Sequence, residues 1–167
     1  MRFIKLIFIS VIFLSLFLTA FSLLFPPHLH IARNIGITSS EQKIISVISD
    51  LHTWDKWNKF ISDSSLTNKT ISTSGDTLQS DQLQVSVKKD SLGNIEIIWK
   101  QPNKKTFTGG FKLMEIKPGS VTVQWYFDFT FKWYPWEKFS SLVYDKQLQP
   151  EIEESLTNLK QLVENNP

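Results

Sequence analysis

Residues 121–132 read Val-Thr-Val-Gln-Trp-Tyr-Phe-Asp-Phe-Thr-Phe-Lys. Val121, Val123, Trp125, Phe127, Phe129 and Phe131 fall on every second position, with Thr122, Gln124, Tyr126, Asp128, Thr130 and Lys132 between them. Strict alternation of this kind dictates a β-strand with one buried face and one wet face. Such a strand constrains everything around it, because its apolar face must be covered by a second layer.

The chain upstream supplies the rest of the sheet. Leu83, Val85 and Val87 alternate, then Ile95, Ile97 and Trp99, then Phe107, Gly109, Phe111 and Leu113. Turn signals separate these runs: Asp90-Ser91-Leu92-Gly93-Asn94, Gln101-Pro102-Asn103 and Pro118-Gly119. Gly109-Gly110 inside a strand predicts a bulge or a sharp bend. Nearer the N-terminus, Leu29, Ile31, Ile35 and Ile37 make another period-two strand, interrupted on its apolar side by Arg33. Thr38 with Glu41, or Ser39 with Gln42, then makes a capping box. The helix it opens carries Ile44, Val47, Ile48 and Leu51, and a second short helix carries Trp54, Trp57 and Phe60. Residues 61–81 are polar, with a short strand expected near Asn68–Ser72 and a loop at Ser74-Gly75-Asp76. Asn68-Lys69-Thr70 matches a glycosylation sequon, a triplet that often arises by chance.

The covering layer is a C-terminal helix. Pro135 suits a first helical turn. Phe139, Leu142 and Val143 share a face, and Ile152, Leu156, Leu159 and Val163 repeat at helical spacing. Pro150 is expected to kink or restart this helix, and Glu151, Glu153 and Glu154 favour the dipole of the turn after it. Strand, two short helices, antiparallel strands and a long helix together define an α+β fold. One long helix does not cover a flat sheet, so the sheet is expected to bend around it. The space enclosed, lined by Trp and Phe, is either packed core or a ligand cavity.

Ahead of this domain, Leu6–Phe25 is a run without a charged residue. As a helix it spans ~30 Å, the hydrocarbon thickness of a bilayer. Residues 1–25 thus read as an N-terminal transmembrane anchor and residues 28–164 as the folded domain. A cleaved signal peptide is the rival reading. The run is longer than the ~7–15 residues of a signal core, and Ala20 has Leu18 rather than a small residue two positions before it, which favours a retained anchor. Arg2 and Lys5 precede the run, and no full positive charge follows it until Arg33. The positive-inside rule then places the N-terminus in the cytoplasm and the domain on the extracytoplasmic side.

Charge excludes some partners. Of 18 basic side chains, Arg2 and Lys5 belong to the anchor, which leaves 16 against 16 acidic ones in the domain. A balanced domain exerts no global pull on nucleic acid. The pairs Lys88-Lys89 and Lys104-Lys105 sit beside turns and read as solvated loop charges. With no cysteine, disulfides, thiolate catalysis and cysteine-held zinc are excluded. Nothing in the pattern calls for a cofactor.

The segment Asp50-Leu51-His52-Thr53-Trp54-Asp55-Lys56-Trp57-Asn58 resembles the Asp-(x)3-Trp-(x)2-Trp-Asn segment of the polyketide cyclase/dehydrase and lipid-transport group, in the START-like, helix-grip (SRPBCC) superfamily. Asp145–Pro150, continuing to Leu156-Thr157-Asn158-Leu159-Lys160, is similar to the closing helix of that group. The resemblance covers about residues 28–164. It implies a curved antiparallel sheet wrapped around the C-terminal helix, with a hydrophobic pocket between them for a lipid or other apolar small molecule. Members include binders, carriers and some enzymes, so the reaction, if any, is not implied. Many members carry a Gly-rich tract and an aromatic residue after the second short helix. Residues 61–81 offer Gly75 and no aromatic, so loops at a pocket mouth are expected to differ.

Candidate pocket residues are Trp54, Trp57, Trp99, Phe111, Trp125, Phe127 and Phe129, as lining or as core. If the polar strand face lined the cavity instead, Gln124, Tyr126 and Asp128 would be its convergent polar groups. No catalytic set stands out: there is no Gly-x-Ser-x-Gly and no phosphate-cradling loop. His28 and His30 share a strand face, but no nearby third residue completes a metal site. His52, between Asp50 and Asp55, reads as helix-junction capping ahead of a general base. Trp133-Tyr134-Pro135-Trp136 either staples the entry to the last helix or touches a bilayer interface. The readings that follow are a binding module tethered to a membrane, an enzyme such as a cyclase, dehydrase or hydrolase acting on an apolar substrate, or a structural protein with a filled core. Oligomeric state is not legible.

Overall fold

The computed structural model describes residues 2–89, 94–102 and 106–165. The turn expected at Asp90–Asn94, apart from Asn94 itself, lies outside them, as do Asn103 and the pair Lys104-Lys105. Elements follow in the order α1 (Arg2–Ser22), β1 (His28–Ile37), α2 (Glu41–Ser49), a 3₁₀ helix (Leu51–Lys56), α3 (Lys59–Ser62), β2 (Thr70–Ile71), β3 (Thr77–Gln79), β4 (Gln84–Lys89), β5 (Ile95–Lys100), β6 (Phe107–Lys117), β7 (Ser120–Thr130) and α4 (Pro135–Asn165).

Every alternating segment is a strand, and its apolar residues face one way. The seven strands make one curved, open antiparallel sheet in the order β1-β7-β6-β5-β4-β3-β2. The first strand therefore closes onto the last, with Ile31 opposite Phe127 and Arg33 opposite Trp125. Together with α4 this is the α+β helix-grip fold. Its core gathers Ile31 and Ile37, Ile44 and Ile48, Trp54 and Trp57, the inner residues of β4 to β7, and Ile152, Leu156, Leu159 and Val163 of α4. Each such side chain, fully buried, contributes about 1.5–3 kcal/mol.

Three local expectations are corrected. The N-cap of α2 is Ser40, whose hydroxyl accepts from the Lys43 N–H; neither expected capping box forms. Three consecutive hydroxyl residues offered the cap, and the Thr38 N–H is taken instead by the Glu164 carboxylate, 2.8 Å away. There is no bulge at Gly109-Gly110. The ladders to β5 and β7 are continuous there, and the register shift lies between Glu115 and Lys117. The glycines serve close approach: a Cβ on Gly109 would lie 2.5 Å from the Tyr126 carbonyl, and one on Gly110 would collide with the Ile95 carbonyl. Finally, α1 stops at Ser22 rather than running to Phe25, and Leu23, Leu24 and Phe25 close three turns onto Ala20, Phe21 and Ser22.

The expected break at Pro150 takes a different form, since α4 runs through it as one helix. What changes there is packing. Ile152, Leu156, Leu159 and Val163, beyond the proline, are buried, whereas Val143 and Tyr144, before it, are exposed. Besides the bond from Thr38 to Glu164, further polar ties hold α4 in place. Arg33, the charge that interrupts β1, reaches Asp145 at 3.3 Å and Glu153 at 3.4 Å, one on each side of Pro150. The buried Ser155 hydroxyl donates to the Glu151 carbonyl and accepts the Lys59 N–H at 2.9 Å, so it satisfies a free donor at the start of α3. The Lys138 ammonium donates to the Phe25 carbonyl just beyond α1.

Two substitutions test these packing arguments by urea unfolding. Ser155→Ala strands the Lys59 N–H and is expected to cost about 1–3 kcal/mol. Gly110→Ala forces a methyl into the Ile95 carbonyl and is expected to cost about 1–3 kcal/mol or more. Unchanged midpoints would refute the contacts.

Candidate functional site

An aromatic series runs through the domain. It starts deep, where Trp54 and Trp57 sit 5.2 Å apart and Trp125 stacks on Phe111 at 5.0 Å. Phe60 of α3 bridges outward, with Trp125, Trp99 and Phe127 all within about 6 Å. The series ends on Phe107, Phe129, Phe131 and Tyr144, with Phe129 5.2 Å from the Tyr144 ring. The inner part is covered by α2, the 3₁₀ helix and the C-terminal half of α4. The outer part is not, because the N-terminal half of α4 does not close onto it.

The result is a cleft of about 1200 Å³, above the ~300–1,000 Å³ of ordinary small-molecule sites. Its floor is Trp99, Phe107, Phe127 and Phe129, and Phe60 and Leu66 form one side. Tyr144, Gln147, Leu148 and Glu151 of α4 form the other, and Phe131, Lys132 and Glu137 form the end nearest the start of α4. The loop after α3, with Asp63, Ser64 and Ser65, borders the opening. It is held by an Asx turn in which the Asp63 carboxylate accepts the Ser65 N–H at 2.9 Å.

Of the aromatic residues named from the sequence, Trp99, Phe127 and Phe129 line this cleft. Trp54, Trp57, Phe111 and Trp125 lie behind it in the packed core, each at most 1% exposed. Phe60, Phe107, Phe131 and Tyr144 line it as well. Phe107 and Phe131 were detectable, since they continue the apolar alternation of β6 and β7. The indole N–H groups of Trp99 and Trp125 find no acceptor among the described residues.

Gln124, Tyr126 and Asp128 do not line the cleft; of the polar strand face, Thr130 and Lys132 border its end. Asp128 accepts from or pairs with His30 at 2.6 Å on the outer surface, and the His30 ring stacks on Tyr126. Partial burial, then the negative charges of Asp128 and Glu96, push the Tyr126 hydroxyl above its ordinary pKa. His28 lies near Thr130, and among the described residues no three His, Asp or Glu converge as a metal site. His52 is a structural partner of Asp50, the N-cap of the 3₁₀ helix, with bonds of 3.0 Å to its N–H and 2.7 Å to its ring. Burial pushes the Asp50 carboxyl up, but the two bonds and the charge from His52 together outweigh it and hold the group below its ordinary value. The Asn68 amide of the sequon donates to Asp81.

Ionisable groups that do border the cleft are Lys59, Asp63, Lys132, Glu137, Tyr144 and Glu151. The Glu151 side chain is open to solvent at its edge, yet the cleft wall desolvates it enough to raise its carboxyl above the ordinary range. Asp63 and Glu154 push the same way, and Lys59 opposes them.

The sequence pattern of the family described as polyketide cyclase / dehydrase and lipid transport matches residues 28–164. Among solved structures, a START superfamily protein from Mycobacterium smegmatis is similar at 16% identity with a TM-score of 0.61, over 83% of this chain and 99% of that one. Truncated norcoclaurine synthase from Thalictrum flavum is similar at 11% identity and 0.57, over 84% and 96%. The Zhui aromatase/cyclase of a Streptomyces species is similar at 11% identity and 0.51, over 83% and 94%. At these identities the likeness is one of fold. No curated protein matches by sequence.

The raised Glu151 carboxyl makes a pH-dependent expectation. A carboxyl that holds its proton more tightly when folded opposes folding once ionised. Its contribution is most favourable below the unfolded value and fades as pH rises through the folded one. Glu151→Gln is therefore expected to raise the urea midpoint at pH 7. That advantage should vanish when both forms are neutral, below about pH 4. A midpoint shift that does not change between these conditions would contradict the assignment.

Proposed function

Because the chain belongs to the polyketide cyclase/dehydrase and lipid transport family, we propose that it is a membrane-tethered domain that binds a lipid or other apolar small molecule in the cleft between β5–β7 and the first half of α4. The observation that carries this reading is the large aromatic-floored cleft itself, which faces solvent where a protein without cargo gains by closing it. Its floor is apolar and its polar groups lie along the α4 wall, the rim and one end, a distribution that suits an amphiphile with a bulky apolar body. A cleft of this volume also speaks against a structural protein with a filled core.

The tether in this reading is α1, whose Phe3–Ser22 stretch is long and apolar enough to cross a membrane. Thr19 and Ser22 bond back to the carbonyls of Ser15 and Thr19, which lowers the cost of these hydroxyls in hydrocarbon. Arg2 and Lys5 place the N-terminus in the cytoplasm and the domain outside it.

An enzymatic reading keeps a specific observation in its favour. Tyr144 and Glu151 border the cleft, so an acid or base lies within reach of a bound substrate. The absence of a motif gives it no named reaction, and two of the proteins similar in fold are a synthase and an aromatase/cyclase by name.

Mass spectrometry of small molecules that co-purify with the full-length protein tests the binding reading. A lipid or other apolar compound is expected in stoichiometric amount. Gln147→Trp, at an exposed position on the α4 wall, is expected to deplete it severalfold without lowering the melting temperature. No apolar compound in the wild-type protein, and no uptake from lipid mixtures, would sink the proposal. Recovery of a chemically altered compound after incubation, lost in Glu151→Gln or Tyr144→Phe, would move the reading to an enzyme.

A further inference from the structure

Trp133 and Trp136, on either side of the start of α4, stand outside the packed core. Trp133 and Trp136 are 63% and 68% exposed, while the other four of the six tryptophans are buried. Tyr134 stacks flat on Trp136 at 5.1 Å and lies 4.9 Å from Trp133, so the three rings form one outward-facing group. The Lys132 ammonium sits 5.7 Å from the Tyr134 ring. Clustered, exposed tryptophans on a folded surface mark a place where something else supplies the apolar contact.

The topology says what lies next to this group. β7 ends beside the start of β1, with Thr130 opposite His28, and the Phe131 N–H donates to the Pro27 carbonyl at 2.8 Å. The first turn of α4 packs on the end of α1, where Phe139 lies 6.1 Å from Phe21 and 5.8 Å from Phe25. Lys138 is tied to the Phe25 carbonyl. The exposed rings therefore sit at the end of the domain from which α1 departs, together with exposed Leu23 and Leu24. Phe131, Lys132 and Glu137, from the same segment, form that end of the cleft.

We infer that Trp133, Tyr134 and Trp136 dock into the headgroup layer of the bilayer that α1 crosses and hold the Phe131–Glu137 end of the cleft against it, so that cargo passes between membrane and cleft without entering water. This rests on α1 being a membrane span. The five residues Leu23 to Pro27 leave at most on the order of 15 Å between that span and the first strand, so the bilayer is the surface already within reach. Tryptophan and tyrosine are the residues that favour this layer, with an apolar body and a polar edge. Lys132 beside them suits the phosphates of the headgroups.

Tryptophan quenching in the full-length protein tests the dock. The protein is reconstituted into phosphatidylcholine vesicles with and without bromine on the acyl chains near the headgroup, and Trp133→Phe/Trp136→Phe is treated in parallel. Brominated lipid is expected to quench the wild-type emission clearly more than that of the variant. Brominated cargo beside Trp99 quenches both alike and so cancels. Trp133→Ser/Trp136→Ser is further expected to slow uptake of a fluorescent phospholipid from vesicles severalfold, with the final load unchanged. Equal quenching of wild type and variant, in protein that stays with the vesicles after an alkaline wash, would overturn the dock and leave the tether standing. Shielding of the two residues from both brominated lipid and aqueous acrylamide would also overturn it, since a second copy or another protein would then cover them. Loss of the protein from the vesicles in the wash would overturn tether and dock together.

Discussion

The aromatic face of β7 is the contact on which the rest of the domain depends. Its inward residues run from Val121 to Phe129 without a gap, and β1, β6, α3 and α4 are all positioned against it. Phe60 extends it sideways by packing edge-on to Trp125 and Phe127. Rings packed edge-to-face or offset gain about 0.5–1.5 kcal/mol per pair beyond the area they bury, so the fully covered half of this face is a stable anchor for the half that is not.

The division between the two halves follows from α4. After Pro150 its apolar residues recur at helical spacing and close the core. Before Pro150, Phe139 turns instead to α1, and Tyr144 meets Phe129 and Phe131 from the side. Pro150 has no N–H to give the Lys146 carbonyl, so the ladder is weakest where the packing changes over. Arg33 compensates by holding carboxylates on both sides of that point. Its place on the apolar side of β1, odd in a strand pattern, is explained by this reach to α4.

The sequence made the architecture legible because alternation and helical spacing each encode a face. β4, β5, β6, β7 and the C-terminal half of α4 follow from it directly. β3 does not, since Thr77–Gln79 is three residues long with one buried member, Leu78, and carries no period. Alternation also says nothing about position along a strand. It placed Trp125 and Phe129 on the same side, but whether each meets a helix or open space is decided by α4, which is remote in sequence. The glycines misled for a related reason: a strand glycine signals a close approach as well as a bulge, and here the partner is backbone carbonyl from two neighbouring strands. Trp133 and Trp136 are displayed outward, which the composition of their motif does not decide by itself.

An open apolar cleft is mechanically unstable, because closing it would bury more surface. What resists closure here is a set of ties that fix α4 at three heights: Lys138 to the end of α1, Arg33 to Asp145 and Glu153, and Ser155 to the start of α3. The uppermost of these belongs to the apolar N-terminal helix rather than to the sheet. The ammonium of Lys138 is itself buried and faces the carbonyl end of α1, where a cation is favoured. The end of α1 is therefore part of the frame that keeps the first half of α4 off the aromatic floor. The N-terminal helix and the first half of α4 are thus joined by packing and not only by chain connectivity.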